Sequence, residues 1–409
     1  MKRVLAQEPA EAAAAITDGQ IASISDPSFS ADVITWQKTH GRHTLPWQNT
    51  DDAYRIWLSE IMLQQTQVAA VIPYYEKFRR RCPTVQARAT APSEDVMAHW
   101  SGLGYYTRAR NLHRCAQQIV TLYGGIFPAD PALLAELPGI GRSTAAAISA
   151  FAYGTPAAIM DGNVKRVFAR VFGVTTYPGE KKTEDQLWQR AVALLPKADL
   201  QSDLQSNLQS NLQSDMQSYT QGLMDLGATL CTRSNPACAR CPLAPRCVAL
   251  ATDRVAELPV RKPKKTVPEK HAVMLVITDR SQVLLTQRPD HGIWGGLLSL
   301  PELAGFTATA PAALDTPLAQ IEFQERVTQM VAPFGSVASC ARLQPFSHGF
   351  THFKLHVTPY QVTLERRVYA VAQSQQVWLE AHRLVEAPLP APIKKLLLTL
   401  LCSDDLFAA

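Results

Sequence analysis

A chain of 409 residues with 46% hydrophobic content can bury two or three separate cores, and its formal charge of +5 permits a nucleic-acid partner without demanding one. No apolar run approaches the roughly 20 residues that cross a bilayer, and acids break up the segment after Met1-Lys2-Arg3, so neither a membrane span nor a secretory signal is expected. Of the eight Cys, four cluster between Cys231 and Cys247 while Cys82, Cys115, Cys340 and Cys402 are scattered, which argues for one metal site in a reducing compartment and against a disulfide framework.

Residues 1–29 mix Ala, Ser, Asp and Gly without a sustained period and read as a mobile tail. From Ser30 helical spacing takes over. Trp57 and Ile61 recur along Tyr54–Leu63, and further helices are expected over 71–80, 92–101, 109–123, 131–137, 143–151 and 164–172, with Gly and Pro at the joins. Strand-like alternation is nearly absent, so residues 30–254 are expected to form an all-α domain. Within it, 199–218 repeats Leu-Gln-Ser followed by Asp or Asn. That period does not match 3.6, so its Leu residues drift around a helix, and the tract reads as a low-complexity insertion without chemistry. Residues 255–269 form a linker, with Leu258–Lys265 too rich in Pro and Lys for regular structure. Beyond it, His271–Thr278 and Gln282–Thr286 read as strands joined by a turn at Asp279-Arg280-Ser281, and Phe353–Thr358 alternates as well. Residues 270–409 are therefore expected to be a separate α+β domain.

The stretch Leu137-Pro138-Gly139-Ile140-Gly141 joins two helical patterns. Gly139 and Gly141 allow backbone N–H groups to point outward, and a helix start beside them adds partial positive charge, so the turn suits an anion such as a DNA phosphate. Alone, a pair of glycines marks any tight turn. Further on, Asp161 follows the apolar run Ala157–Met160 and opens another helix. Taken alone it is an N-cap. N–H donors would also keep its carboxylate ionised, able to face the cation that develops at a sugar C1′ as a base departs. Glu60 lies among Trp57, Ile61, Met62 and Leu63. It could be a surface acid, yet apolar neighbours would raise its pKa and let it carry a proton at neutral pH. The spacing Cys231-x6-Cys238-x2-Cys241-x5-Cys247 is a strong metal signal. Zinc competes for it, but the long first gap and the Cys241-Pro242 step fit a [4Fe–4S] cluster better.

These stretches, with Leu45-Pro46-Trp47, Gly102–Tyr106 and Met224–Gly227, together resemble the MutY-type adenine DNA glycosylases of the helix-hairpin-helix superfamily. The resemblance implies a multidomain fold: an all-α helix-hairpin-helix glycosylase domain with a [4Fe–4S] subdomain, followed by an α+β Nudix-like domain. It implies removal of adenine mispaired with 8-oxoguanine or guanine in duplex DNA, by a monomer in the cytoplasm at the nucleoid. Glu60 would then be the general acid, Asp161 the transition-state carboxylate and Asn163 its support. Leu63, Gln64 and Tyr105 would fill or wedge the stack vacated by base flipping, and Gly139, Gly141 and Lys165 would meet the DNA backbone. Bifunctional relatives similar to endonuclease III carry a Lys where this chain has Ser143, so hydrolysis by water with little strand cleavage is expected; a structural role for Ser143 would be N-capping. Arg288–Pro301 resembles the family's Nudix-like domain, without the R-E-x-x-E-E pattern of true Nudix hydrolases. Phe346-Ser347-His348-Gly349-Phe350-Thr351-His352 resembles the loop that reads the oxidised base. Oxidation turns guanine N7 into a donor, and a hydroxyl such as that of Ser347 can accept from it.

Two other readings remain at this level. One is a bifunctional glycosylase and lyase for oxidised pyrimidines, disfavoured by Ser143, Glu60 and the last third of the chain. The other is a catalytically silent DNA-binding module, disfavoured by the paired carboxylates Glu60 and Asp161.

Overall fold

The computed structural model describes residues 26–197, 205–262, 266–303, 317–368 and 375–401. The tail expected before Asp26, residues 199–204 of the four-residue tract, linker residues 263–265 and Cys402 lie outside them. In chain order the helices are α1 (Pro27–His40), α2 (Ala53–Leu63), α3 (Val68–Arg81), α4 (Val85–Thr90), α5 (Ser93–Trp100), α6 (Thr107–Tyr123), α7 (Pro131–Ala135), α8 (Arg142–Tyr153), α9 (Gly162–Val171), α10 (Lys181–Ala193), α11 (Gln205–Asp225) and α12 (Val248–Ala251). The contacts divide the chain into two units: Met1–Glu60 with Phe127–Lys262, and Ile61–Ile126 with Pro263–Ala409.

Among its described residues the first unit holds helices and no strand. Its core gathers Phe29 and Val33 of α1, Ala147 and Ala150 of α8, Val164, Val167 and Phe168 of α9, and Met216, Tyr219 and Leu223 of α11. The end of the four-residue tract meets this core. Met216 of its last repeat is wholly buried, and Tyr219, Leu223 and Leu226 continue the stripe at helical spacing. The drift of the repeat ends where the sequence after it supplies the right period. Asp225, also wholly buried, accepts from the Arg42 backbone N–H at 2.8 Å and from Arg42 Nε at 2.7 Å. A single turn of π-helix, Leu226–Leu230, leads into Cys231. Such widened turns recur at functional sites.

The second unit combines α3–α6 with the residues after the linker. Those form β1 (Glu269–Asp279), β2 (Gln282–Gln287), β3 (Leu298–Ser299), α13 (Pro317–Val331), β4 (Gly335–Arg342), β5 (Phe346–Gly349), β6 (Lys354–Arg367), β7 (Gln376–Glu380) and α14 (Ala391–Leu401). The sheet runs β3-β2-β1-β6-β4, with β5 paired to β6 and β7 to β2. Its centre, β1 against β6, is parallel, while β1 and β2 form the expected hairpin with Arg280 at a φ of 51°. The apolar run Ala272–Ile277 is buried on both faces, as a central strand requires. Val273, Leu275 and Ile277 pack with Phe323, Val327 and Val331 of α13 and Val362 of β6.

Candidate active site

The turn between α7 and α8 places Gly139 at a φ of 80°, a conformation open to glycine without strain. Gly141 caps α8 without a side chain. The start of α8 therefore carries its helix-terminal charge with no capping carboxylate or hydroxyl over it, the arrangement an anion site needs. Ser143 lies inside α8, so N-capping is not its role. Its hydroxyl accepts instead from the backbone N–H of Met160 at 2.9 Å. That bond ties the hairpin helix to the buried extended run Ala157–Met160, which delivers Asp161.

Asp161 is the N-cap of α9, and its Oδ1 accepts from the Val164 N–H at 2.8 Å. Asn163 Nδ2 approaches Oδ2 at 3.4 Å. Burial outweighs these donors and raises the carboxyl above its ordinary pKa. Glu60, on the last turns of α2, is pushed up to about 8 by burial first and by the Asp161 carboxylate second. Both influences on Glu60 act upward, whereas the Val164 and Asn163 donors and Arg166 act downward on Asp161. The downward influences at Asp161 thus favour the proton on Glu60.

Two arginines of α9 tie this pair to the cysteine loop, and the sequence reading did not single them out. Arg166 Nη2 donates to Asn163 Oδ1 at 2.8 Å and to the Gly227 carbonyl at 2.7 Å, and its Nε donates to the Cys231 carbonyl at 2.7 Å. Gly227 is needed here, because a Cβ would stand 2.4 Å from Asn163 Cβ. Arg170, 3% exposed, donates to the carbonyls of Thr232 (2.7 Å) and Leu258 (2.9 Å) and to Cys231 Sγ (3.4 Å). Their spacing four apart behind an N-cap acid was the available signal. Lys165, expected at the DNA backbone, is paired with Glu184 at 2.6 Å.

Cys231, Cys238, Cys241 and Cys247 line a single cavity with Arg170, Leu226 and Leu230. No described group of three or more His, Cys, Asp or Glu converges tightly enough for one metal ion. Four thiols around one space are a donor set able to hold a metal or a metal cluster. None of the described Cys forms a disulfide.

In the second unit, Leu63 and Gln64 are half-buried at the end of α2, while Tyr105 is 52% exposed at a φ of 49°. Phe346, Ser347 and His348 lie on β5. Ser347 Oγ stands 2.9 Å from His356 Nδ1, its partner across the β5–β6 ladder. The hairpin tip carries Phe350, Thr351 and His352, which with Trp294, His348 and Tyr105 line a cavity of ≈ 850 Å³. Trp294, His348 and Phe350 pack ring against ring at 4.7–5.8 Å. Ser347 does not line that cavity, whereas Thr351 does.

Residues 58–192 match the HhH-GPD superfamily base excision DNA repair protein family, and residues 272–399 match the NUDIX domain. The adenine DNA glycosylase of Buchnera aphidicola subsp. Schizaphis graminum (strain Sg) is 32% identical over 370 residues, spanning 90% of this chain and 97% of the relative. That of Homo sapiens is 29% identical over 394 residues, spanning 83% of this chain and 67% of the relative. Among solved structures, a thermostable thymine-DNA glycosylase is 27% identical over 55% of this chain and 96% of its own, with a TM-score of 0.47. The fold is thus a helical HhH-GPD part followed by a Nudix-like part with a mixed sheet. By its identity to a relative matched over nearly its whole length, the chain belongs to the MutY-type adenine DNA glycosylase family.

Proposed function

We propose that this protein excises adenine from duplex DNA where it is mispaired with 8-oxoguanine or guanine, as a monofunctional hydrolase acting as a monomer. What supports the reading is the carboxyl pair: burial and the Asp161 carboxylate both push Glu60 upward, while the Val164 and Asn163 donors act downward on Asp161 against its burial. Adenine is a poor leaving group until it is protonated, and a sugar cation needs a nearby anion. With the adenine everted, Glu60 gives its proton to N7. The C1′–N9 bond then breaks with its electron pair going to the base, and the Asp161 carboxylate faces the developing cation. Water adds at C1′, and its released proton restores Glu60. Ser143, engaged with the Met160 N–H, is no amine nucleophile, so no imine with the sugar is formed.

The four cysteines around one cavity fit a [4Fe–4S] cluster, held by Cys231, Cys238, Cys241 and Cys247. When bound, the cluster braces the loop and takes no part in bond breaking. Arg166 and Arg170 connect that loop to Asn163 and the start of α9.

Excision is tested on duplexes bearing adenine opposite 8-oxoguanine or guanine, with and without alkali and with borohydride trapping. The expected result is base loss that nicks only after alkali and yields no trapped adduct. Glu60→Gln is expected to abolish base loss, by at least about 10³-fold, while duplex binding is retained. Wild-type turnover in that variant removes the acid, and with it this reading.

A further inference from the structure

Arg108, on α6 and 8% exposed, carries a guanidinium with an unusual set of acceptors. Nη1 donates to the carbonyls of Ile61 (3.1 Å), Met62 (2.8 Å) and Gln64 (2.6 Å). These close the C-terminus of α2, where carbonyls lack helical partners. Nη2 donates to Thr66 Oγ1 (3.0 Å) and to the carbonyls of Leu103 (3.3 Å) and Gly104 (3.2 Å). One planar group thereby joins the turn after α2 to the turn before α6.

Both turns hold unfavourable backbone. Gln65 has a φ of 57° and Tyr105 a φ of 49°, each a non-glycine residue in the left-handed region. Such conformations persist only where the surroundings fix them, and they collect at functional sites. The fixing here is visible. Trp100 Nε1 donates to the Gly104 carbonyl at 2.9 Å, and the guanidinium carbon lies 5.2 Å from the Trp100 ring and 5.3 Å from the Tyr105 ring. The products of this arrangement are Leu63 and Gln64 on one turn and the exposed Tyr105 ring on the other. A lysine could reach one turn or the other, but its ammonium lacks the flat fork that spans both.

We propose that Arg108 is a positioning residue that registers the Leu63–Gln64 turn against the Gly102–Tyr105 turn, so that both enter the duplex together and the target base leaves the stack. This rests on the adenine-excision reading above. The role concerns eversion, ahead of the chemistry at Glu60 and Asp161.

The test uses the full chain in the Glu60→Gln background, so that bound duplex stays intact. The probe is a duplex with 2-aminopurine at the target position opposite guanine, whose emission rises when the base unstacks. Arg108→Lys removes the fork. Thr66→Val removes the bond to Nη2 together with the long one from Thr66 Oγ1 to the Gln64 carbonyl (3.4 Å), at a position outside any helix and with the Nη1 contacts left in place. At saturating protein the emission rise is expected to fall at least about 5-fold in Arg108→Lys and about 2-fold in Thr66→Val, with the Kd for a fully paired duplex changed less than about 3-fold. Should Arg108→Lys melt early, Thr66→Val carries the decision. A full rise in both variants overturns the proposal. So does a parallel loss of paired-duplex binding and emission, which would mark a role in folding or charge alone. No rise in Glu60→Gln by itself overturns the excision reading and the proposal together, whereas a rise there that both variants keep overturns the proposal alone.

Discussion

At Glu60 the decisive quantity is the proton. A carboxyl raised to about 8 is neutral at physiological pH, so the fold favours the protonated form. The contribution of that group to stability is full below its ordinary value of 4.5 and is lost as pH rises through about 8. Two outcomes follow. Single-turnover excision should decline by about tenfold per pH unit above the apparent pKa near 8, and fall again in acid as Asp161 protonates. Relative to the parent, Glu60→Gln should gain in Tm progressively as pH rises from about 4.5 to about 8, with most of the gain already present at neutrality and no further gain above pH 8, as read by thermal melts across pH. A second residue-scale contrast concerns the loop hydroxyls. Ser347 is engaged by His356, and Thr351 lines the aromatic cavity. If a hydroxyl accepts from N7–H of the oxidised guanine, Thr351→Val should cost about tenfold in preference for 8-oxoguanine over guanine, and Ser347→Ala less. Ratios of excision rates on the two mispairs decide between them.

At the scale of elements, α8 and α9 act as a pair joined through one hydroxyl. Ser143→Ala would leave the buried Met160 N–H without its partner, a loss of about 1–3 kcal/mol. Because Met160 precedes the acid directly, we expect excision to fall about tenfold beyond any drop in Tm, measured at a temperature where the variant is fully folded. Much of this was legible in the chain. Apolar spacing located α2, α6, α8 and α9 closely, because each has a clear buried stripe and a glycine, proline or capping residue at its ends. The N-cap at Asp161 was legible for the same reason. What was hidden are contacts between positions distant in sequence. Nothing in a linear reading says that Ser143 accepts from Met160, that Lys165 pairs with Glu184, or that Arg166 reaches Cys231. Nor does spacing reveal that burial outweighs the donors around Asp161, since that depends on what packs over the carboxyl.

At the scale of the molecule, the contacts group distant stretches of the chain. Helices α3–α6 group with the residues after the linker. Ser101 Oγ donates to the Leu389 carbonyl at 3.0 Å, and Arg110 donates to the Gly295 carbonyl, so α5 and α6 have partners far along the chain. A chain ending at Lys262 is therefore expected to lose order first in α3–α6. Its Tm should fall by about 5 °C or more, with the earliest hydrogen exchange in 68–123, as followed by mass spectrometry.

The burial of Met216 has a genetic corollary. Where a tract that repeats every four residues is encoded by a repeated twelve-nucleotide unit, slippage during replication changes its length without shifting the reading frame. Each added unit would turn a continuous helix by 40° beyond a full rotation, and Met216, Tyr219 and Leu223 are locked in the core. The excess must be taken up on the amino-terminal side of α11. Alleles differing in the number of units should then encode enzymes of equal activity, provided that the final Asp215-Met216-Gln217-Ser218 unit is kept.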